Sequence, residues 1–131
     1  MTTPAPGCDH CQVGTTVVIV DDHAGFRNWA RTLLTEWGYD VVGEAADAAQ
    51  AVAVVAATGP ELVLLDLQLP DRSGFEVLAE LNEISDPPQV VLVSSHDASV
   101  YGSRLLGIGA AGFLSKIDLS ATALAEMCGR P

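Results

Sequence analysis

Basic residues are scarce in this sequence. Lysine and arginine together number 6 against 17 acidic residues, a formal net charge of -11 over 131 residues, and a field of that sign repels phosphate backbones and anionic lipid surfaces. Direct nucleic-acid binding is therefore not expected. Cysteine is also sparse: Cys8, Cys11 and Cys128 are an odd number and too few for the disulfide framework of a small secreted domain. Although 49% of the residues are hydrophobic, no apolar run approaches the roughly 20 residues of a membrane span. The opening "MTTPAPGCDHCQVG" lacks a basic stretch followed by an apolar one, so it does not read as a secretory signal. These absences predict a soluble, cytoplasmic chain with no membrane partner. Its length leaves room for one domain with a substantial core.

Cys8, His10 and Cys11 form a compact C-x-x-C group in that opening segment. A closed zinc site needs a fourth ligand, and a thioredoxin-like dithiol should lie between a strand and a helix rather than in a Pro/Gly-flanked tail. Residues 1–14 are read as a flexible tail that binds metal weakly or not at all, residues 15–128 as the folded domain and residues 129–131 as a short C-terminal tail.

What the sequence does have is alternation. "TTVVIVD" (15–21), "ELVLLD" (61–66) and "QVVLVSS" (89–95) are continuous apolar runs that suit parallel strands buried on both faces, and "YDVVGEA" (39–45) reads as an edge strand. Between them Phe26, Trp29, Ala30, Leu33, Leu34 and Trp37 recur at helical spacing, with Gly38 as a stop. Asp47 is placed to cap a second helix that ends at "TGP" (58–60), and "FEVLAELNEI" carries a third. A helix over "ASVYGSRLLGIG" (98–109), a short strand "AGFL" and a last helix from Asp118 to about Cys128 complete five βα units. Such alternation predicts a parallel sheet covered by helices on both faces.

Every polar residue that breaks a strand does so at its C-terminal end: Asp21 and Asp22 after the first, Asp66 at the third, Ser94 at the fourth and Lys116 after the fifth. Open α/β sheets bind ligands outside those ends, where the strand order reverses. If the order is 2-1-3-4-5, three carboxylates converge, each neighbouring pair opposed by about 4 kcal/mol at an effective dielectric of 20. A hard divalent cation such as Mg²⁺ relieves that conflict, and a lysine with a small hydroxyl completes a place for a phosphoryl group.

"VVIVDDH", "LVLLDLQLPDRSG", "VVLVSS" and "GAAGFLSK" occur together in one order and spacing, and through these four motifs the chain resembles the response-regulator receiver domains of two-component signalling. The resemblance covers residues 15–128 and implies a flavodoxin-like (βα)5 α/β fold with sheet order 2-1-3-4-5. It implies Asp66 as phosphoacceptor, Mg²⁺ held by Asp21, Asp22, Asp66 and the backbone carbonyl of Gln68, Lys116 against the phosphoryl oxygens, Ser94 as switch hydroxyl and Phe113 as switch aromatic. Ser95 is an alternative strand terminator beside Ser94. Pro70 and Gly74 match the family's turn proline and helix-entry glycine. Such a protein assists its own phosphorylation and dephosphorylation without being a turnover enzyme.

Implied partners are a histidine kinase or histidine phosphotransfer protein, docking on the first helix through Phe26, Arg27 and Ala30, and a downstream protein target or a second copy of the chain. His23 and "GFLSKIDLSATAL" are similar to the receivers of LuxR/NarL-type regulators. Ile117 departs from the usual proline after the lysine, which predicts a less rigid loop. The sequence runs to "EMCGRP", and a stand-alone protein without an output domain is expected. Two other readings compete. One is a pseudo-receiver that works without phosphate, against which the intact acid, hydroxyl and lysine set stands. The other is a small α/β enzyme or flavodoxin-like electron carrier, against which "DDHAGF" stands, because its acids repel a flavin phosphate.

Overall fold

The computed structural model describes residues 14–95 and 109–128. Strands β1 (Thr16–Val20), β2 (Asp40–Ala45), β3 (Leu62–Asp66), β4 (Gln89–Ser94) and β5 (Gly112–Ser115) form one sheet in the order β2-β1-β3-β4-β5. All four pairings are parallel. The described α-helices are α1 (Ala24–Glu36), α2 (Ala48–Thr58), α3 (Gly74–Leu81) and α4 (Ala121–Cys128). This is the parallel α/β sheet that the alternation predicts, in the flavodoxin-like order that the resemblance implies. The Cys8, His10 and Cys11 group, nearly all of the helix expected over 98–109 and the terminal tail lie outside the described residues. Among the described residues no helix is long and apolar enough to cross a membrane.

The apolar runs are continuous because both faces of the sheet are covered. Val18, Val20, Val63, Leu65, Val90 and Leu92 pack with α2 and α3, whereas Val17, Ile19, Leu62, Leu64, Val91 and Val93 pack with α1 and α4. Alternate residues of one strand thus enter opposite cores. Between Val17 and Val18 the β1–β2 register shifts, so that Val17 faces Val41 while Val18 faces Gly43. The extra residue changes which side of the sheet the end of β2 presents.

Two helix boundaries differ from the sequence reading. The last helix begins at Ala121 rather than Asp118, because Lys116–Asp118 is a 3-10 turn and the hydroxyl of Ser120 accepts the Ala123 N–H at 3.1 Å. The third helix ends at Leu81, with Asn82 as its cap, instead of running on to Ile84. Trp29, expected in the core stripe, is 46% exposed and leans on Phe26 with ring centroids 5.7 Å apart. Ala30 and Leu34 are the residues of α1 that are fully buried.

The entry to α2 is held from a distance. Asp47 caps it, accepting the Gln50 N–H at 2.8 Å. The carboxylate of Asp71 accepts the N–H groups of Ala48 and Ala49 at 2.8 and 3.1 Å. These are donors that a helix start otherwise leaves to water. The same amides hold the Asp71 carboxyl below its ordinary pKa, the Ala48 N–H contributing most. The loop after β3 is thereby pinned to α2.

Gly74 opens α3 beside the end of β3. Its requirement is space rather than an unusual dihedral: a Cβ there would lie 2.5 Å from the Asp66 carbonyl oxygen and 2.7 Å from the Leu67 Cα, both backbone. Gly74→Ala is expected to destabilise the fold by about 1–3 kcal/mol, the usual range for overpacking, and to displace the segment that carries Asp66. Urea denaturation with an unchanged slope would measure it; an unchanged midpoint would contradict the close approach.

Candidate functional site

The strand order puts β1 between β2 and β3, so the chain leaves β1 and β3 towards opposite faces and a crevice opens at their carboxyl ends. Asp21, immediately after β1, and Asp66, the last residue of β3, flank that crevice. Ser94 closes β4 in register with Ser115 of β5, and Lys116 follows at once. Asp21, Asp66 and Ser94 are buried, whereas Ser95 is exposed, which separates the two adjacent serines.

Lys116 reaches across the rim. Its Nζ lies 2.6 Å from Asp21 Oδ2 and 3.6 Å from Asp66 Oδ2, and its side chain is only 14% exposed. Beneath it the Phe26 ring sits 4.6 Å from Nζ, a cation–π contact that steers the ammonium over the acids. Phe26, expected in the helical stripe and as a docking residue, thus also reaches the site, and its position four residues after Asp22, on the first turn of α1, is the signal that places a ring beside the acids.

Asp66 has one oxygen fixed and the other facing the lysine, for Oδ1 accepts the Gln68 N–H at 3.0 Å. Burial lifts its carboxyl from the ordinary 3.8 to about 6, the charge of Asp21 adds to that rise, and the Gln68 amide and Lys116 oppose it. The Gln68–Ser73 bridge closes the loop behind it. Phe113 is half-buried in β5 and packs against the core on the α2 and α3 side.

His23 joins the acids more closely than its sequence position alone indicates. Its Nδ1 lies 3.2 Å from Asp21 Oδ1 and 3.2 Å from Asp22 Oδ1, and its backbone N–H donates to Asp21 Oδ1 at 2.8 Å. Asp21, Asp22, His23 and Asp66 each offer a ligand atom within 4.8 Å of the others. Asp21 Oδ2 is buried and accepts no hydrogen bond. Its 2.6 Å approach to Lys116 is therefore a charge contact without hydrogen-bond alignment, and a lone pair on that oxygen is left over. Three carboxylates and an imidazole that converge on one rim beside the Lys116 ammonium form a mostly hard, oxygen-rich ligand set that fits a divalent cation.

The docking residues expected on α1 divide. Ala30 is fully buried and is not available to a partner. Arg27 is turned inward, its side chain 19% exposed and tied to Glu44. Long side chains carry no direction in a sequence, and here the acidic partner on β2 decides it.

Comparison with known proteins agrees with the geometry. The family model "Response regulator receiver domain" matches residues 17–127. The chain is 40% identical over 101 residues to a protein named probable transcriptional regulatory protein NarL in Mycobacterium tuberculosis, covering 76% of this chain and 47% of that one. It is 33% identical over 111 residues to the transcriptional regulatory protein DegU of Brevibacillus brevis, covering 84% of this chain and 47% of that one. The chain thus spans about half the length of these relatives. Its fold is similar to that of a LuxR-family two-component response regulator from Aurantimonas sp. SI85-9A1, with a TM-score of 0.78, 29% identity and 89% and 87% of the two chains covered.

Proposed function

The chain belongs to the response-regulator receiver family of two-component signalling, and on that premise we propose that it accepts a phosphoryl group on Asp66 and uses it to switch a protein-interaction surface. The observation that carries the reading is the arrangement of one buried carboxylate. Asp66 Oδ1 is fixed by the Gln68 amide, while Oδ2 looks towards Lys116 Nζ at 3.6 Å.

In the proposed step a carboxylate oxygen of Asp66 attacks the phosphorus of a phosphohistidine on a cytoplasmic histidine kinase or phosphotransfer protein. The P–O bond forms, the P–N bond breaks and the partner's imidazole leaves. With its carboxyl raised to about 6, Asp66 remains largely ionised at neutral pH and is more basic than an exposed aspartate. Lys116 meets the phosphoryl oxygens as a point charge already held over Phe26. Mg²⁺, when bound by Asp21, Asp22, Asp66 and the Gln68 carbonyl, supplies charge neutralisation for the incoming phosphoryl group. Ser94 lies at the adjacent strand end as the switch hydroxyl, and Phe113 on β5 is the aromatic that follows it. The surface that reads out the change includes the turn after β5, where Ile117 is 90% exposed. A downstream protein or a second copy of the chain is its reader.

Incubation with acetyl phosphate and Mg²⁺, followed by mass measurement of the intact chain, tests this. One phosphoryl adduct is expected on the wild-type chain and none on Asp66→Ala. A folded wild-type chain that takes no adduct from acetyl phosphate or from a panel of histidine kinases would favour a pseudo-receiver instead.

A further inference from the structure

The Arg27 side chain makes two contacts that no docking role requires. Its Nη1 donates to the main-chain carbonyl of Asp21 at 2.6 Å and its Nε meets Glu44 Oε1 at 3.1 Å. The other oxygen of Glu44 is taken by Arg31 Nε at 2.6 Å. The Asp21 carbonyl belongs to the peptide that joins the two acids, so its orientation sets the direction in which both carboxylates leave the backbone.

The sheet irregularity makes this contact possible. Val41 packs on the α1 side and Val42 on the α2 side. A Cβ at Gly43 would run into Val54 of α2 at 2.6 Å, so positions 42 and 43 both face α2. The register shift between Val17 and Val18 therefore restores Glu44 to the α1 side, where the two arginines meet it. In an unbroken alternation Glu44 would point at α2 and Arg27 would lack its anchor.

We propose that Arg27 is a positioning residue for the acid pair: held by Glu44, it grips the Asp21–Asp22 peptide from behind and fixes the two carboxylates before a cation arrives. The inference rests on the Mg²⁺ reading above for its functional consequence, while the grip itself is independent of metal.

Two measurements test it. In metal-free protein, hydrogen exchange of the His23 amide, which donates to Asp21 Oδ1, should quicken in Arg27→Gln and to a smaller extent in Glu44→Gln, while amides in the middle of α1 keep their rates. In calorimetric titration with Mg²⁺ alone, Arg27→Gln should weaken binding about tenfold, as loss of an outer-shell partner does. The sign is diagnostic. If Arg27 acted only by its charge, removing it would tighten cation binding, so a tighter or unchanged Kd in a chain of native circular dichroism overturns the proposal, as does unchanged His23 exchange. Arg27→Lys, which keeps charge but cannot span the Asp21 carbonyl and Glu44 together, should resemble Arg27→Gln; full rescue by lysine would also overturn it. A wild-type chain that binds no Mg²⁺ counts against the metal reading, and the exchange experiment then decides the grip by itself.

Discussion

Lys116→Ala should lower stability by about 3 kcal/mol at neutral pH, at the lower end of what removing one partner of a buried ion pair costs. Lys116 faces the fully buried Asp21 at 2.6 Å and Asp66 at 3.6 Å. Without it, two buried carboxylates confront each other across the crevice with no ammonium between them. The lower end is expected because the rim is open on the side of Asp22 and His23, both exposed, so water reaches part of the cluster. Thermal unfolding at neutral pH measures the loss, and Lys116→Met, which keeps the stem above Phe26, separates charge from packing. Added Mg²⁺ should stabilise the variant more than the wild type, since a cation would replace the missing charge. A melting temperature equal to the wild type at neutral pH would contradict the ion-pair reading.

Asp66→Asn is expected to do the opposite to stability and, on the proposed function, to end phosphoryl acceptance. The folded-state carboxyl, raised to about 6 from 3.8 chiefly by burial, binds its proton more tightly than in the unfolded chain. Stability must then fall as pH rises between those two values, and the cost is fully present above the higher one. Asparagine removes the charge and keeps an oxygen for the Gln68 N–H. Discounted for the partial solvation of the rim, the gain at neutral pH without divalent cations is about 1–2 kcal/mol, or about 5 °C in melting temperature. Near pH 4 the gain should vanish, because the wild-type carboxyl is then protonated in the fold. A variant less stable than wild type at neutral pH, or equally stabilised at both pH values, would exclude a raised Asp66.

The fold was legible where burial is complete on both faces. β1, β3 and β4 show as uninterrupted apolar runs because alternate residues serve two cores, and the polar residues that stop them, Asp21, Asp66 and Ser94, lie at the carboxyl ends of the strands. The spacing of α1 was less informative at its edges: Trp29 and Ala30 are adjacent in the apolar stripe, yet Trp29 is 46% exposed and Ala30 is sealed. A stripe fixes a direction, not a width. Likewise Asp118 and Ser120 are both good helix caps, and the 3-10 turn after β5 chose the serine. The inward turn of Arg27 could not be read at all, since it depends on a one-residue register shift in a neighbouring strand, which leaves no mark in local composition.

Asp71 has a consequence for how this domain can be recombined. Because its carboxylate closes two amides of α2 from a loop 22 and 23 residues further on, that helix and the loop after β3 form one structural module. A chimera that joined the α2 of this chain to a loop from another relative would keep the Asp47 cap but leave the Ala48 and Ala49 amides without their acceptor unless Asp71 travelled with it. The seam for such grafts therefore lies outside both segments, before Asp47 or after α3.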